Sequence, residues 1–589
     1  MDDVCTRCGD RPAPHAGLLH RRRLLQAAGA AGLATALPRG VARARGATPQ
    51  ASPSAGIGEP VTSQTRKDFN AEMITALGLV EGTPGGTYLD SNTSDIQTVM
   101  PFLAEEQASL GIVGMIFDSL TGGDPRTGGP APNGLADWWE IAADGVTYTF
   151  HLNEQALWHD GQPVTADDVQ FSFDALADPA TSSAYTSSFL DTTASWRVVD
   201  PHTFEMVAKE PTIDFLYNLV AYIIPKHVWE PVARKDWKGD GGATGLDPAR
   251  VVGSGPYKFK EWKPGESISL VRNDAYYDKV PYFDEYVMKV WPDQTAVVNA
   301  FLNGEIDATG LEPSDVAAVE GAPGVTVATY DTRGFSFIGL NLDPAITPFF
   351  QDVKTRQALM FALDRQSIVD NILLGYARVA RGTQPVVSYA YAPDRIETVY
   401  DYDPAKARQL LADAGWADSD GDGVLEKDGK PLAFEYTYPS GSPTTDQIAA
   451  YVQDAWKAVG ANASPKAMDF PALVDMIQGS RNFVTVALGF NWDATFIQDA
   501  MFGCDQYEGG FNFVKYCNPA LDKINDKAKR TFDQSARAEL LIEASNIVND
   551  ELPVLILHFS KAIVAYTERL QNYKPSTWGS PFAYQFFKA

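Results

Sequence analysis

VGSGPYKFKEWKPGESISLVRNDAYYD, residues 252–278, and FDEYVMKVWPDQTAVVNAFLNGEIDATG, residues 283–310, decide how the rest of the chain is read. Gly253, Gly255 and Pro256 make a bend that neither a strand nor a helix tolerates in its interior. Tyr257 and Phe259 alternate with Lys258 and Lys260, the period-two pattern of a strand with one buried face. Pro264-Gly265 turns the chain, and Ile268, Leu270 and Arg272 return it as a second strand. A third strand, a turn and a short helix follow, so the stretch is a mixed α/β unit.

At 589 residues the chain is too long for one core, and two lobes or more are expected. A composition of 45% hydrophobic and 21% charged residues is that of a globular protein. The net charge of -27 argues against nucleic acid or an anionic membrane as a partner. Residues 1–44 differ from the rest: Arg21-Arg22-Arg23-Leu24-Leu25 precedes a Gly/Ala-rich apolar run, and Ala42-Arg43-Ala44 offers a cleavage site. This resembles a twin-arginine export signal; the alternative is a basic tail. Residues 45–82 are Pro-, Ser- and Thr-rich and predict a loosely ordered lead-in. Of the four cysteines, Cys5 and Cys8 fall inside the leader. Cys504 and Cys517 close a short loop that an exported location permits to be a disulfide, with two free buried thiols as the alternative.

Val146, Tyr148, Phe150 and Leu152 alternate as a half-buried strand, and Thr165 starts a helix as N-cap with Asp168 at its third position. His159-Asp160 lies in the turn between them and reads as a capped turn rather than a metal or acid/base pair. Lys226 to Gly245 reads as a surface excursion. The run from Asp352 to Gly375 predicts one helix, and Asp403, Pro404 and Gly415 bracket another. Asp418, Asp420 and Asp422 with Gly423 match the front of a calcium loop, but the twelfth place is Gly429 rather than Glu. Calcium or a solvated turn are both open there. Asp446 to Val459 predicts a helix, Phe483 to Leu488 a strand, and Leu552 to Leu557 a short apolar strand.

Gly-x-Gly-Pro-Tyr, Trp-x-Pro-Gly, Arg-Asn-x-x-Tyr-Tyr and Leu-Asn-Gly-Glu-Ile-Asp follow one another in residues 253–307. With the run from Asp144 to Leu176 and the F-I-G-L-N segment 337–341, they resemble the family 5 bacterial extracellular solute-binding proteins, the peptide- and nickel-type receptors of ABC importers. The resemblance implies a two-lobed α/β fold of the periplasmic-binding-protein type, large class, with a subdomain in the first lobe and two hinge crossings. On that pattern residues 83–336 form the first lobe, 337–557 the second, and 558–589 the return to the first. The hinge strands are expected near Phe337–Asn341 and Leu555–His558.

The same resemblance puts the ligand between the lobes. Peptide-binding members carry a Gly-Trp-rich stretch ending in an aspartate that pairs with the ligand's amine, and Asp493 of Gly489-Phe490-Asn491-Trp492-Asp493 falls there. Without the resemblance, Asp493 reads as a cap for the residues that follow. Trp492 and Phe490 are expected to wall the pocket or pack in the core; Arg333 or Arg381 could receive a ligand carboxylate, with ordinary surface arginines as the alternative. Where members have Asp-Pro beyond the aspartate, this chain has Phe496-Ile497, a departure that weakens a dipeptide assignment. The implied function is an exported, periplasmic, monomeric receptor without cofactor, passing a peptide or another amine-bearing solute to permease subunits driven by an ATPase. Nickel chelates, opines, haem and oligosaccharides are alternative ligands. A secreted hydrolase fits poorly: no P-loop or HExxH is present, and Ser254 lacks the first glycine of a nucleophile elbow.

Overall fold

The computed structural model describes residue 57 and residues 59–219, 221–507, 510–579 and 585–589. The leader 1–44, with Cys5 and Cys8, lies outside the described residues. Among the described residues no helix is long and apolar enough to cross a membrane.

Two sheets share the core of the first lobe. One is antiparallel, in the order Val61–Thr62, Ala136–Ile141, Thr147–Leu152, Thr203–Ala208, Thr193–Asp200. The other runs Thr87–Asn92, Glu285–Val290, Ser267–Arg272, Tyr257–Lys263, and its first pair is parallel. Tyr148, Phe150, Tyr257, Ile268 and Leu270 alternate inward from both and meet in one apolar cluster. The helix Ala166–Ala177 covers it with Val169, Phe173 and Leu176, and its capping box is formed, Thr165 N–H donating to Asp168 at 3.0 Å.

The bend at 253–256 owes its glycines to a close approach. Gly255 N–H donates to the Ile116 carbonyl at 2.8 Å. A Cβ at Gly253 would run into that same carbonyl. His159 braces the bend, accepting from Gly253 N–H at 3.2 Å on Nδ1 while Nε2 donates to the Gly255 carbonyl at 3.0 Å. Burial pushes this imidazole down to about 4, so it works as a neutral double-ended linker.

The chain passes between lobes in two long strands, Val325–Leu340 and Val554–Thr567, which pair antiparallel. Ile563 and Ala565 pack with the helix Gln294–Leu302 in one core, whereas Phe335, Phe337, Ile556 and Phe559 belong to another. The register breaks between: Asp331 pairs with Lys561, Phe335 with Phe559, so more residues lie on the first strand than on the second. Side chains satisfy the backbone there. Thr332 Oγ1 donates to the Ser560 carbonyl at 2.9 Å, and Arg333 N–H donates to Thr577 Oγ1 at 3.0 Å.

Thr485–Asn491, Ala433–Pro439 and Asn462–Met468 extend this sheet into the second lobe. The helices Val353–Phe361, Pro404–Asp413 and Pro443–Lys457 pack on it around Trp416 and Trp456, whose indole N–H groups reach Thr355 and the Leu359 carbonyl. The tail returns to the first lobe through Leu570 and Phe586.

Three expectations need correcting. Residues 45–82 are not loosely ordered throughout: Arg66–Leu77 is a helix capped by Thr65, and its buried Arg66 pairs with Asp137 at 2.6 Å. The excursion at 226–245 carries Trp229 and Trp237 into the first-lobe core. The helix expected over 352–375 stops at Phe361 and restarts at Arg365, because buried Arg365 turns inward to donate to the carbonyls of Ala380, Ile556 and Tyr400.

Cys504 and Cys517 are bonded, closing a loop with a sequence separation of 13. Replacing both by serine is expected to lower the free energy of unfolding by about 3 kcal/mol in a urea titration followed by fluorescence; an unchanged midpoint would show that the loop is held without the bridge.

Candidate functional site

The crossing strands form the floor of a cavity of about 480 Å³. Leu311, Glu312, Pro313, Tyr330, Ser576 and Thr577 line one side, and Tyr436, residues 439–442, Thr444, Thr445, Phe470 and Gly489 the other. Each wall follows from local pattern. In Thr485–Asn491, Val486 and Leu488 point into the core, which leaves Ala487, Gly489 and Asn491 facing the opening. This strand pairs with Ala433–Pro439 only at Thr485 and Val486. Beyond Val486 its outer edge has no ladder partner among the described residues. Ser442 caps the helix Pro443–Lys457, whose first turn opens on the same space.

The charged groups of the cavity are differently committed. Glu312 accepts from its own turn, and burial, helped by Asp315, raises its pKa. Arg333 is 3% exposed, with its guanidinium 5.2 Å from the centre of the Trp578 ring. His558 is buried; Ser560 Oγ sits 3.4 Å from its Nδ1, and burial, with Arg365 nearby, pushes it down to about 4. Lys561 is half-buried on the same strand.

Of the four residues expected at the ligand, Phe490 and Asn491 reach the cavity wall. Trp492 does not line it: it is 1% exposed, packs in the second-lobe core tilted against Phe335 and edge-on to Phe490, and donates its indole N–H to the Thr383 carbonyl at 2.8 Å. Of the two readings of Trp492, core packing is the one realised. Asp493 also lies off this cavity wall, where it accepts from Thr495 N–H at 3.0 Å, as a capping residue does. Its charge is nonetheless felt across the lobes. Burial raises the pKa of the first-lobe phenol Tyr217; Arg537 opposes the rise, and Asp493 and Asp214 add to it. Around that point the lobes touch, Ile213 N–H donating to the Lys529 carbonyl at 2.9 Å and Arg530 meeting Glu210 at 2.9 Å.

Arg381 belongs to a different hollow on the second lobe, beside Arg365 and Arg378, and lies 3.8 Å from Asp401. It does not face the cleft. The acidic turn draws Asp418, Asp420 and Asp422 together with Glu426, their carboxylates within 4.8 Å of one another. These groups accept bonds from the turn itself, Gly421 N–H to Asp418 at 2.7 Å and Ser419 N–H to Glu426 at 2.8 Å. Glu312, Lys561 and the 439–445 loop were missed, and His558 was expected only at the end of a hinge strand. One signal was available: His558, Ser560 and Lys561 interrupt an otherwise apolar strand.

The family model for bacterial extracellular solute-binding proteins, family 5, matches residues 131–509. Among curated relatives, the oligopeptide-binding protein AppA of Bacillus subtilis is 30% identical over 475 residues, 80% of this chain and 85% of that one. The dipeptide-binding protein of Escherichia coli is 25% identical over 467 residues, 75% of this chain and 83% of its own. Among solved structures, AppA from Bacillus subtilis in complex with a nonapeptide superposes with a TM-score of 0.71 at 27% identity, covering 86% of this chain and all of that one, 100%. NikZ from Campylobacter jejuni in complex with Ni(L-His) gives 0.70 at 27%, covering 85% of this chain and 99% of its own.

The depressed imidazole generates a pH test. His558 stays neutral to about pH 4 when folded, whereas its ordinary value is 6.5. The unfolded chain therefore binds the extra proton, and this contribution to stability, complete above pH 6.5, is lost as pH falls toward 4. The stability advantage of the wild type over His558→Gln is expected to shrink by ~3 kcal/mol between pH 7 and 4 in parallel urea titrations; a difference independent of pH would mean that the ring is solvated.

Proposed function

The chain belongs to the family 5 bacterial extracellular solute-binding proteins, and on that premise we propose that it is an extracytoplasmic receptor that closes on a peptide and delivers it to the permease subunits of an ABC importer. The observation that carries this reading is the cavity built on two paired crossing strands, with lobe-to-lobe contacts at Arg530–Glu210 and Ile213–Lys529 elsewhere on the interface. One set of connections is covalent and stays; the other is polar and can open. The break in register between Asp331 and Phe335 is the natural pivot, because bonds from side chains tolerate rotation better than a continuous ladder.

Peptide fits the chemistry of the walls. The outer edge of residues 487–491 offers backbone groups to an added strand, which gives affinity without reading side chains. The Ser and Thr hydroxyls of the 439–445 loop extend that polar lining. Asp493, two residues beyond the end of the same strand, is the group we assign to the ligand's ammonium. A charge-assisted bond in a closing, water-poor cleft is a strong anchor. No bond of the ligand is broken in this scheme. Export is assigned to the leader with Arg21, Arg22 and Arg23, ahead of Ala42-Arg43-Ala44.

Mass spectrometry of the purified protein is expected to find peptides, recovered intact after prolonged incubation. Asp493→Ala is expected to weaken binding of a recovered peptide more than tenfold by calorimetry, about 1.4 kcal/mol or more. A loss under threefold would remove Asp493 as the anchor, and steady turnover of peptide would remove the receptor reading.

A further inference from the structure

The cavity holds a cation that the protein leaves uncommitted. Lys561 is half-buried in the wall, and its side chain has no ion pair or hydrogen bond among the described residues. Two carboxylates stand within its surroundings, and both are engaged. Asp331 is opposite Lys561 in the strand register, but Arg378 Nε donates to it at 3.0 Å. Glu312 lines the same cavity, but its carboxylate accepts from the backbone of its own turn. The other cation of the wall, Arg333, is folded away against Trp578.

Closing the lobes over an unpaired ammonium strips water from it, which is costly unless an anion arrives with the guest. The rest of the cavity is compatible with such an anion. Thr444 and Thr445, in the first turn of a 15-residue helix, line it, so the positive end of that helix opens on the space. With a net charge of -27 the molecule as a whole repels anions. An anion is therefore held here by local groups or not at all.

We propose that Lys561 is a specificity-determining residue that receives a carboxylate of the bound peptide, from its C-terminus or from an acidic side chain. This rests on the peptide reading of the cleft. Lysine suits the task, since a compact ammonium on a flexible stem can follow the carboxylate of ligands that differ in length.

The test is competitive capture from a random tetrapeptide library, prepared as free acids and as C-terminal amides and read by mass spectrometry. Wild type, Lys561→Gln and Lys561→Arg are compared, with circular dichroism confirming that each is folded. If the C-terminus is the source, wild type enriches free acids over amides at least tenfold, Lys561→Gln brings that ratio below threefold, and Lys561→Arg keeps most of it. If a side chain is the source, the same pattern is seen within the amide pool as preference for Asp and Glu over Asn and Gln. Peptide capture whose two ratios are unchanged in Lys561→Gln overturns the role of Lys561 while leaving the receptor reading intact. Failure of wild type to capture any peptide overturns both.

Discussion

The antiparallel pairing of Val325–Leu340 with Val554–Thr567 is the constraint on which the rest of the molecule depends. It is a sequence-distant contact that ties two separate cores into one protein. The two strands are also the route by which the backbone enters and leaves the second lobe, so the join cannot be lost without losing the topology. Its ladder is regular within each lobe and irregular between them, with Thr332 and Thr577 hydroxyls taking over from backbone partners at the break. A fully regular ladder would hold the lobes stiffly; an unpaired one would leave buried amides unsatisfied. The structure sits between these limits.

The same strands decide the electrostatics of the cleft. Passing between two cores brings the middle of an apolar strand onto the cavity, and His558, Ser560 and Lys561 occupy that interval. His558 sits deep enough to stay neutral, while Lys561 is only half-buried. Arg365 supports this floor from behind, bonded to carbonyls of both Ala380 and Ile556. Its burial explains why the helix expected over 352–375 is broken: a guanidinium that donates to three carbonyls outweighs a turn of helix.

Much of the frame was legible before the structure. The Gly253–Pro256 bend, the capping box at Thr165 and Asp168, and the helix opened by Asp403-Pro404 follow from rules that act within a few residues. The site was legible only in part. Phe490 and Asn491 reach the cavity, but the neighbouring Trp492 is a core residue, and nothing in a run of aromatic residues says which ring faces inward. Trp229 and Trp237 gave the opposite lesson: a basic, glycine-flanked segment looked superficial and proved to anchor a core.

By itself, then, the sequence determined the α/β elements, and its resemblance to a family implied the two lobes. The elements depend on backbone preferences and on hydrophobic period, both of which are local. Only the tertiary structure decided which cations face the cleft, placing Arg381 in a separate hollow and bringing Lys561 into the wall. It also decided that Arg333 stacks on Trp578, a residue far along the chain. The physical reason is that burial and charge pairing are properties of neighbours in space, and here those neighbours come from strands separated by more than two hundred positions.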